Sequence, residues 1–329
     1  MATYSVSCLD VFAPSVQEVI TQALPQDFRI TFAKTYDAKE QLELVVDADL
    51  LLVGGAPLSG DMIRQAKRLK YIQKWGIGVD KIDLAAAEAA GIPVGITAGA
   101  NAGPVAELAV ALMLAVYRRI PFIDKNLRQG KWLKSEVRSW NYQITGKTVG
   151  LLGFGAISRM TARRLLGFDA TVIYTDIQRA DPATEQALHA TYVSLEELLA
   201  RSDILSIHTP LTPQTQHLID DTAIAKMKDG AVIINTARGG IVDERALYKA
   251  LVAGKLRGAG LDSFETEPPS PDNKLLTLDQ VVVTPHAGGG VFDNVEPVAR
   301  HALGNMVKIL KGKALRPEDT ILPRSTSAK

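Results

Sequence analysis

The sequence is short of several things, and each shortage excludes a class of protein. It has one cysteine, Cys8, among 329 residues. That excludes an intramolecular disulfide and makes a cysteine-based zinc site implausible, so no metal is expected. There is no excess of charge of either sign: 37 Lys and Arg face 36 Asp and Glu, for a formal net charge of +1. This balance gives no footprint for nucleic acid and no acidic tail for a charge-driven partner. Long apolar runs are missing too. The clearest one, Leu108 to Tyr117, is about half of what a membrane-spanning helix needs, so no membrane partner is expected. The stretch from Met1 to Pro14 lacks the basic start and apolar centre of a secretory signal, and a cytoplasmic location is the expectation.

What remains is ordinary globular composition. Hydrophobic residues make up 47% and charged residues 22%, and 35.4 kDa fits two domains. Short apolar runs alternate with amphipathic stretches. Candidate strands in the first hundred residues are Ser5–Leu9, Arg29–Phe32, Leu50–Val53, Tyr71–Lys74 and Pro93–Ile96. Helical patterns cover Ser15–Leu24, Asp61–Leu69 and Leu84–Ala90. A Gly-rich stretch, Ala98 to Gly103, reads as a hinge before a helix from about Pro104 to Arg119. Strands then resume at Thr148–Leu152, Thr171–Thr175, Ile204–His208, Ala231–Asn235, Arg257–Leu261 and Val281–Thr284, with helical patterns between most of them, for example Ile157–Leu166, Leu195–Ala200 and Glu244–Val252. A last helix is expected over about Val298–Leu310, and the tail from Lys311 to Lys329 reads as polar with a mobile end. The fold class is therefore α/β: two Rossmann-like, doubly wound blocks with parallel sheets, joined near residue 100.

The run Lys147-Thr-Val-Gly-Leu-Leu-Gly153-Phe-Gly155-Ala156-Ile157-Ser158 is a strand entering a helix through a glycine turn. Gly153 permits the tight turn, Gly155 lets backbone approach a pyrophosphate, and the helix start offers free N–H groups to the anion. Ser158 stands where the fingerprint usually has Gly or Ala. The next strand ends in Asp176, placed to accept the ribose hydroxyls and to repel a 2′-phosphate. NAD is thus favoured over NADP, although Arg179 is near enough to blur the preference. A helix cap or turn residue is the plainer alternative for Asp176.

Three polar residues follow strand ends in the second block: Arg238, Glu267 and His286. In an open α/β sheet those ends form the ligand crevice. An Arg offers a rigid fork to the carboxylate and carbonyl of a 2-keto acid. A histidine can deliver or remove the proton, and a neighbouring carboxylate orients the ring and favours its charged form. Each also has a plainer role open to it: surface ion pair for Arg238, solvated loop acid for Glu267, turn cap for His286. His208 ends a strand before Thr209-Pro210 and is read as lining the cofactor crevice, whereas His189, His217 and His301 are given no catalytic role.

Together with Gly153-Phe-Gly155, the runs Asn235-Thr-Ala-Arg238-Gly-Gly, Leu261-Asp262-Ser-Phe-Glu-Thr-Glu267-Pro268 and Thr284-Pro285-His286 resemble the D-isomer-specific 2-hydroxyacid dehydrogenases. So do Gly76-Ile-Gly78-Val-Asp80 and Val105-Ala-Glu107. The resemblance implies a flavodoxin-like substrate domain, 1–100 plus 293–329, and an NAD-binding domain, 101–292, with the active site in the cleft between them. It implies Arg238 as substrate anchor, His286 as general acid/base and Glu267 as its partner. It implies Asp262 on the nicotinamide carboxamide, and Thr209, Thr236, Ala237 and Gly288 lining the cofactor. The backbone of Trp75, Gly76, Ile77 and Gly78 would hold the substrate carboxylate, and relatives are usually dimers through the nucleotide domain.

Phosphoglycerate dehydrogenases in the family surround a substrate phosphate with cations. The loop after Leu50–Val53 reads Gly54-Gly55-Ala56-Pro57-Leu58, with no Arg, and Lys74 is the one substitute in view. A regulatory amino-acid-binding domain is not expected either. A small unphosphorylated acid such as glyoxylate or hydroxypyruvate is therefore expected, with 3-phosphoglycerate oxidation as the alternative. Formate is disfavoured because the enzymes of this fold that oxidise it carry Gln where Glu267 stands. An NAD(H)-sensing role like that of the corepressor relatives is the alternative from another class.

Overall fold

A computed structural model of the chain describes residues 4–323. These fall into two compact units: one runs to Asn101 and resumes at Gly290, and the other spans Ala102–Gly289.

The first unit begins as strict alternation: β1 (Tyr4–Cys8), α1 (Pro14–Gln22), β2 (Phe28–Phe32), α2 (Ala38–Val46), β3 (Leu50–Val53), α3 (Gly60–Gln65), β4 (Tyr71–Lys74), α4 (Leu84–Ala89) and β5 (Val94–Gly95). The second unit follows with α5 (Ala102–Tyr117), α6 (Ile120–Arg128), β6 (Thr148–Leu152), α7 (Ala156–Leu165), β7 (Thr171–Thr175), α8 (Pro182–Leu188), β8 (Ala190–Tyr192) and α9 (Leu195–Arg201). It is completed by β9 (Ile204–Ile207), α10 (Asp221–Lys226), β10 (Ala231–Asn235), α11 (Glu244–Val252), β11 (Leu256–Leu261) and β12 (Val281–Val283). The chain then returns to the first unit as α12 (Val295–Leu310) and β13 (Thr320–Leu322).

The central strands, such as β3, β9 and β10, are buried on both faces, which is why they read as continuous apolar runs. In β3, Leu50 and Leu52 join the cluster under α12, while Leu51 and Val53 join the cluster on the opposite face. In β10, Ile233 faces one cluster and Val232 and Ile234 the other. The first sheet has the order β13-β5-β4-β3-β1-β2, and the second β12-β11-β10-β9-β6-β7-β8. All neighbours are parallel except β13, which lies antiparallel to β5 through Thr320↔Gly95 and Leu322↔Val94.

The tail expectation needs correcting. Thr320–Leu322 is an edge strand rather than part of a loose polar end, and Asp319 just before it is wholly buried. The part expected to be mobile, 324–329, lies outside the described residues. The Gly-rich hinge is also shorter than expected, because α5 already begins at Ala102 and the Ala98 N–H donates to Asp319 Oδ1 at 3.0 Å. Helices α2, α6, α8 and α10 and strand β8 were not foreseen. Three of the helices carry plain start signals. Asp37, Asp181 and Asp220 each accept a backbone N–H of the first turn, and Pro182 follows Asp181 at the first helical position.

Candidate active site

In the second sheet the strand order reverses between β6 and β9, and open sheets bind ligands at such a reversal. The glycine turn after β6 and the segment after β9 meet there. Gly153 has φ +89, and a Cβ on it would lie 2.9 Å from the His208 carbonyl carbon, so no larger residue fits this turn. Gly155 caps α7 with no side-chain cap, leaving the first N–H groups of the helix, those of Ala156 and Ile157 among them, without an intrahelical partner. Nothing lies within 4 Å of a Cβ built on Gly155. This is an open cradle of N–H groups at a positive helix end, suited to a pyrophosphate.

Asp176, just beyond β7, is tied to the same turn. Its Oδ2 accepts the Phe154 N–H at 2.5 Å and its Oδ1 the Gln178 N–H at 3.2 Å. Two donors thus fix the carboxylate beside the glycines. Ser158 is fully buried and its hydroxyl has no partner among the described residues. The Thr236 hydroxyl, just past β10, is buried and unpartnered in the same way. An unsatisfied buried hydroxyl costs about 1–3 kcal/mol, which at Thr236, next to a strand end, a polar ligand would relieve. The residues therefore fit a dinucleotide. His208 contacts Ser206 Oγ through Nε2 at 2.9 Å. It is half-buried as a residue, yet its ring sits deep enough that burial pushes its pKa down to about 4, leaving a neutral imidazole next to the crevice. Thr209 follows it, half-buried.

The expected catalytic side chains stand on the loops after β10, β11 and β12. His286 Nδ1 lies 2.8 Å from Glu267 Oε1, and the two side chains are 44% and 23% exposed. With a proton on Nδ1 shared with the carboxylate, Nε2 is the nitrogen left to exchange a proton. His286 has φ 52, an uncommon backbone conformation for a non-glycine residue, in the turn after β12. Asp262 organises that turn. It is 2% exposed, and it accepts the Thr284 hydroxyl at 2.6 Å and the Ala287 N–H at 2.7 Å on Oδ1, and the Gly288 N–H at 2.9 Å on Oδ2. Asp262 is thus committed first to the turn that carries His286.

Arg238 follows β10, half-buried, with Nη1 donating to the Ala237 carbonyl at 2.8 Å. Asn235 shapes this corner: its side chain donates to the Arg238 carbonyl at 2.8 Å and accepts the Ala237 N–H at 3.0 Å. A Cβ on Gly239 would fall 1.9 Å from the Phe264 carbonyl carbon. Only glycine lets the Arg238 corner pack on the loop that leads to Glu267. The structure therefore pairs His286 with Glu267 directly and places the Arg238 corner against the Glu267 loop.

Of the four backbone groups expected to receive a carboxylate, two are engaged within the first unit. The Trp75 N–H donates to the Val53 carbonyl at 2.8 Å and the Gly76 N–H to Thr97 Oγ1 at 2.8 Å. The N–H groups of Ile77 and Gly78 have no partner among the described residues, and Ile77 is 41% exposed. Sequence reasoning missed Asp10, two residues beyond β1. Its carboxylate is 5% exposed and accepts the N–H groups of Gly54, Gly55 and Ala56. The Lys74 ammonium bonds the Gly54 carbonyl of the same loop. Among the described residues no group of His, Cys, Asp and Glu could hold a metal ion, and no helix is long and apolar enough to cross a membrane.

A reversed sheet with this turn and this carboxylate-backed histidine defines a nicotinamide-dependent oxidoreductase. Comparison with known proteins narrows the class. Residues 110–288, which lie inside the second unit, match the NAD binding domain of the D-isomer specific 2-hydroxyacid dehydrogenases. A hydroxypyruvate reductase of Thermotoga maritima is 42% identical over 296 residues, which are 89% of this chain and 94% of that one. A D-3-phosphoglycerate dehydrogenase of Methanocaldococcus jannaschii is 40% identical over 84% of this chain, which spans only 52% of that longer protein. Among solved structures, an NAD-dependent formate dehydrogenase from Staphylococcus aureus in complex with NAD has a TM-score of 0.86 at 25% identity, covering 98% of this chain and 99% of that one. The chain belongs to the D-isomer-specific 2-hydroxyacid dehydrogenases and carries their NAD binding domain.

Proposed function

We propose that the chain reduces a small unphosphorylated 2-keto acid, of the glyoxylate or hydroxypyruvate type, to its D-2-hydroxy acid. The observation that carries this reading is the 2.8 Å contact of His286 Nδ1 with Glu267. NADH, when held by the residues named below, would supply the hydride that the carbonyl carbon takes up. Arg238 directs its fork at the substrate carboxylate and carbonyl oxygen, where negative charge grows during the reaction. His286 delivers a proton from Nε2 to that oxygen, and Glu267 balances the imidazolium before transfer. In the reverse direction His286 takes the hydroxyl proton through the same atom. Ala156 and Ile157 at the start of α7, with Gly153, Gly155 and Asp176, hold the adenosine and pyrophosphate end. His208, Thr209, Thr236, Ala237, Asp262 and Gly288 line the nicotinamide side. Ile77 and Gly78, with their flanking Trp75 and Gly76, offer backbone to the substrate carboxylate.

The choice of acid is supported by the loop after β3. It carries no cation, its N–H groups are taken by Asp10, and Lys74 is drawn onto Gly54. A phosphate with nearly two charges needs cationic partners that this loop does not offer. The Thermotoga relative, covered almost end to end, is named a hydroxypyruvate reductase. We also read the protein as a cytoplasmic homodimer through the nucleotide-binding unit. The segment after α5 exposes Ile120, Leu127 and Trp132 at 51%, 52% and 73%, apolar side chains that a second copy would cover.

A panel of glyoxylate, hydroxypyruvate, pyruvate and phosphohydroxypyruvate, each with NADH and NADPH at fixed pH and salt, tests the reading. The highest kcat/KM should fall on glyoxylate or hydroxypyruvate. A strong preference for phosphohydroxypyruvate would overturn the substrate assignment. NADH binding with turnover of none of them would turn the reading to a dinucleotide sensor.

A further inference from the structure

The adenosine end of the site contains a second cation and carboxylate that the reaction leaves unused. Arg179 lies in the turn between β7 and α8, three residues beyond Asp176. A guanidinium in this turn is suited to receive the 2′-phosphate that distinguishes NADP from NAD. In the structure it is already taken. Its Nε donates to Glu185 Oε1 at 2.9 Å and its Nη2 to Glu185 Oε2 at 2.8 Å, a two-pronged pair that uses both carboxylate oxygens. The guanidinium carbon also lies 5.6 Å from the centre of the Tyr192 ring.

Glu185 is held from its other side. The Tyr174 hydroxyl donates to Glu185 Oε1 at 2.6 Å and accepts the Ala180 N–H at 2.9 Å. The Tyr174 ring stacks on Phe154 of the glycine turn, with centroids 3.8 Å apart. One phenol therefore ties the nucleotide turn, the backbone after β7 and the carboxylate that grips Arg179. The Glu185 side chain is 14% exposed, whereas that of Arg179 is 63% exposed. The carboxylate is the fixed member and the arginine the tethered one. Consistent with this geometry, hydrogen bonds from Arg179 first and Tyr174 second hold the Glu185 carboxyl down at about 2, so it stays ionised at any working pH.

We propose that Glu185 is a specificity-determining residue for the cofactor: with the Tyr174 hydroxyl it clasps Arg179, so that Asp176 alone meets the ribose edge and NAD is taken in preference to NADP. A 2′-phosphate can recruit Arg179 only by breaking a bidentate, charge-assisted pair, which leaves Glu185 without its counter-charge. Exclusion of NADP thus has two parts, repulsion by Asp176 and retention of the cation that would offset it. This rests on the NAD site described above and is independent of which keto acid is reduced.

The test measures binding of adenosine 2′,5′-bisphosphate against adenosine 5′-diphosphate by calorimetry on the full-length protein, with kcat/KM for NADPH and NADH alongside. Glu185→Gln should raise the affinity ratio in favour of the 2′-phosphate by about tenfold, the scale of one exposed charge-assisted contact. Adding Arg179→Ala should erase the gain. Arg179→Ala alone should leave the ratio at the wild-type value, since the guanidinium is withheld there already. Should Glu185→Gln not fold, Glu185→Asp keeps the charge but cannot hold both prongs, and it should shift the ratio in the same direction. An unchanged ratio in a folded Glu185 variant, a gain that survives Arg179→Ala, or a loss of 2′-phosphate affinity in Arg179→Ala alone would each overturn the proposal.

Discussion

Asp262→Asn is the sharpest probe of how the histidine is placed. Three donors converge on the wild-type carboxylate: Thr284 Oγ1 and the Ala287 N–H on one oxygen, and the Gly288 N–H on the other. An asparagine has one acceptor oxygen and one NH2 group. If its oxygen keeps Thr284 and Ala287, its NH2 faces the Gly288 N–H, and two donors oppose each other where the residue is 2% exposed. The reverse orientation sacrifices the Ala287 bond instead. A lost hydrogen bond to a charged group is worth about 1.5–3 kcal/mol, and an unsatisfied buried donor costs about 1–3 kcal/mol. Taking partial overlap of the two, the local penalty is about 2–4 kcal/mol. The turn between Thr284 and Gly288 can relieve it only by moving, and His286 moves with it. If the whole penalty appears in the transition state, kcat falls by about 30- to 1,000-fold. Steady-state turnover at saturating NADH, a fluorescence titration of NADH and a thermal melt separate loss of turnover from loss of cofactor or fold. A folded Asp262→Asn protein turning over within about threefold of wild type would refute the claim that this carboxylate positions the histidine.

Further outcomes follow from other parts of the molecule. His286→Ala should lower kcat by about 10²- to 10⁴-fold, the usual worth of a general acid, with NADH affinity in a fluorescence titration nearly unchanged. Gly239→Ala should lower both melting temperature and turnover, because its methyl group would overlap the Phe264 backbone and push the Arg238 corner away from the Glu267 loop. For Asp319, burial opposes the charge, but hydrogen bonds from Arg316 and His301 outweigh it and hold the carboxyl at about 2, below its ordinary 3.8. Its stabilising contribution is therefore complete above about pH 4 and is lost as the pH falls toward 2, so acid melts should be less steep over that window in Asp319→Asn than in wild type.

The architecture was legible where strands are buried on both faces, because runs such as Leu50–Val53 and Ala231–Asn235 read as apolar whatever surrounds them. Short helices were less legible. Asp181-Pro182 and Asp220 announce α8 and α10, yet these helices have only 7 and 6 residues, too few for an apolar period to stand out. Strand β13 could not be read locally at all, since Thr320 pairs with Gly95 across most of the chain. At the site, Arg238, Glu267 and His286 were marked by their places at strand ends and by the resemblance. Other features stayed hidden. The commitment of Asp262 to its turn, the filling of the Gly54–Ala56 loop by Asp10 and the pairing of Arg179 with Glu185 all depend on side-chain direction, which spacing does not reveal.

The return of the chain to its first unit has a consequence for the order of assembly. Ala302, Leu303 and Met306 of α12 cover one face of the first sheet, over Val6, Leu50 and Tyr71, and the Ala98 N–H reaches Asp319 across 221 positions. During synthesis that face waits for the intervening stretch, on the order of 10–40 s at bacterial to eukaryotic elongation rates of about 5–20 residues per second. The inserted nucleotide-binding stretch is complete by then and has every strand of its own sheet to hand. The newborn polypeptide must therefore carry a half-clothed apolar wall through most of translation, which makes its opening third the natural client of a chaperone.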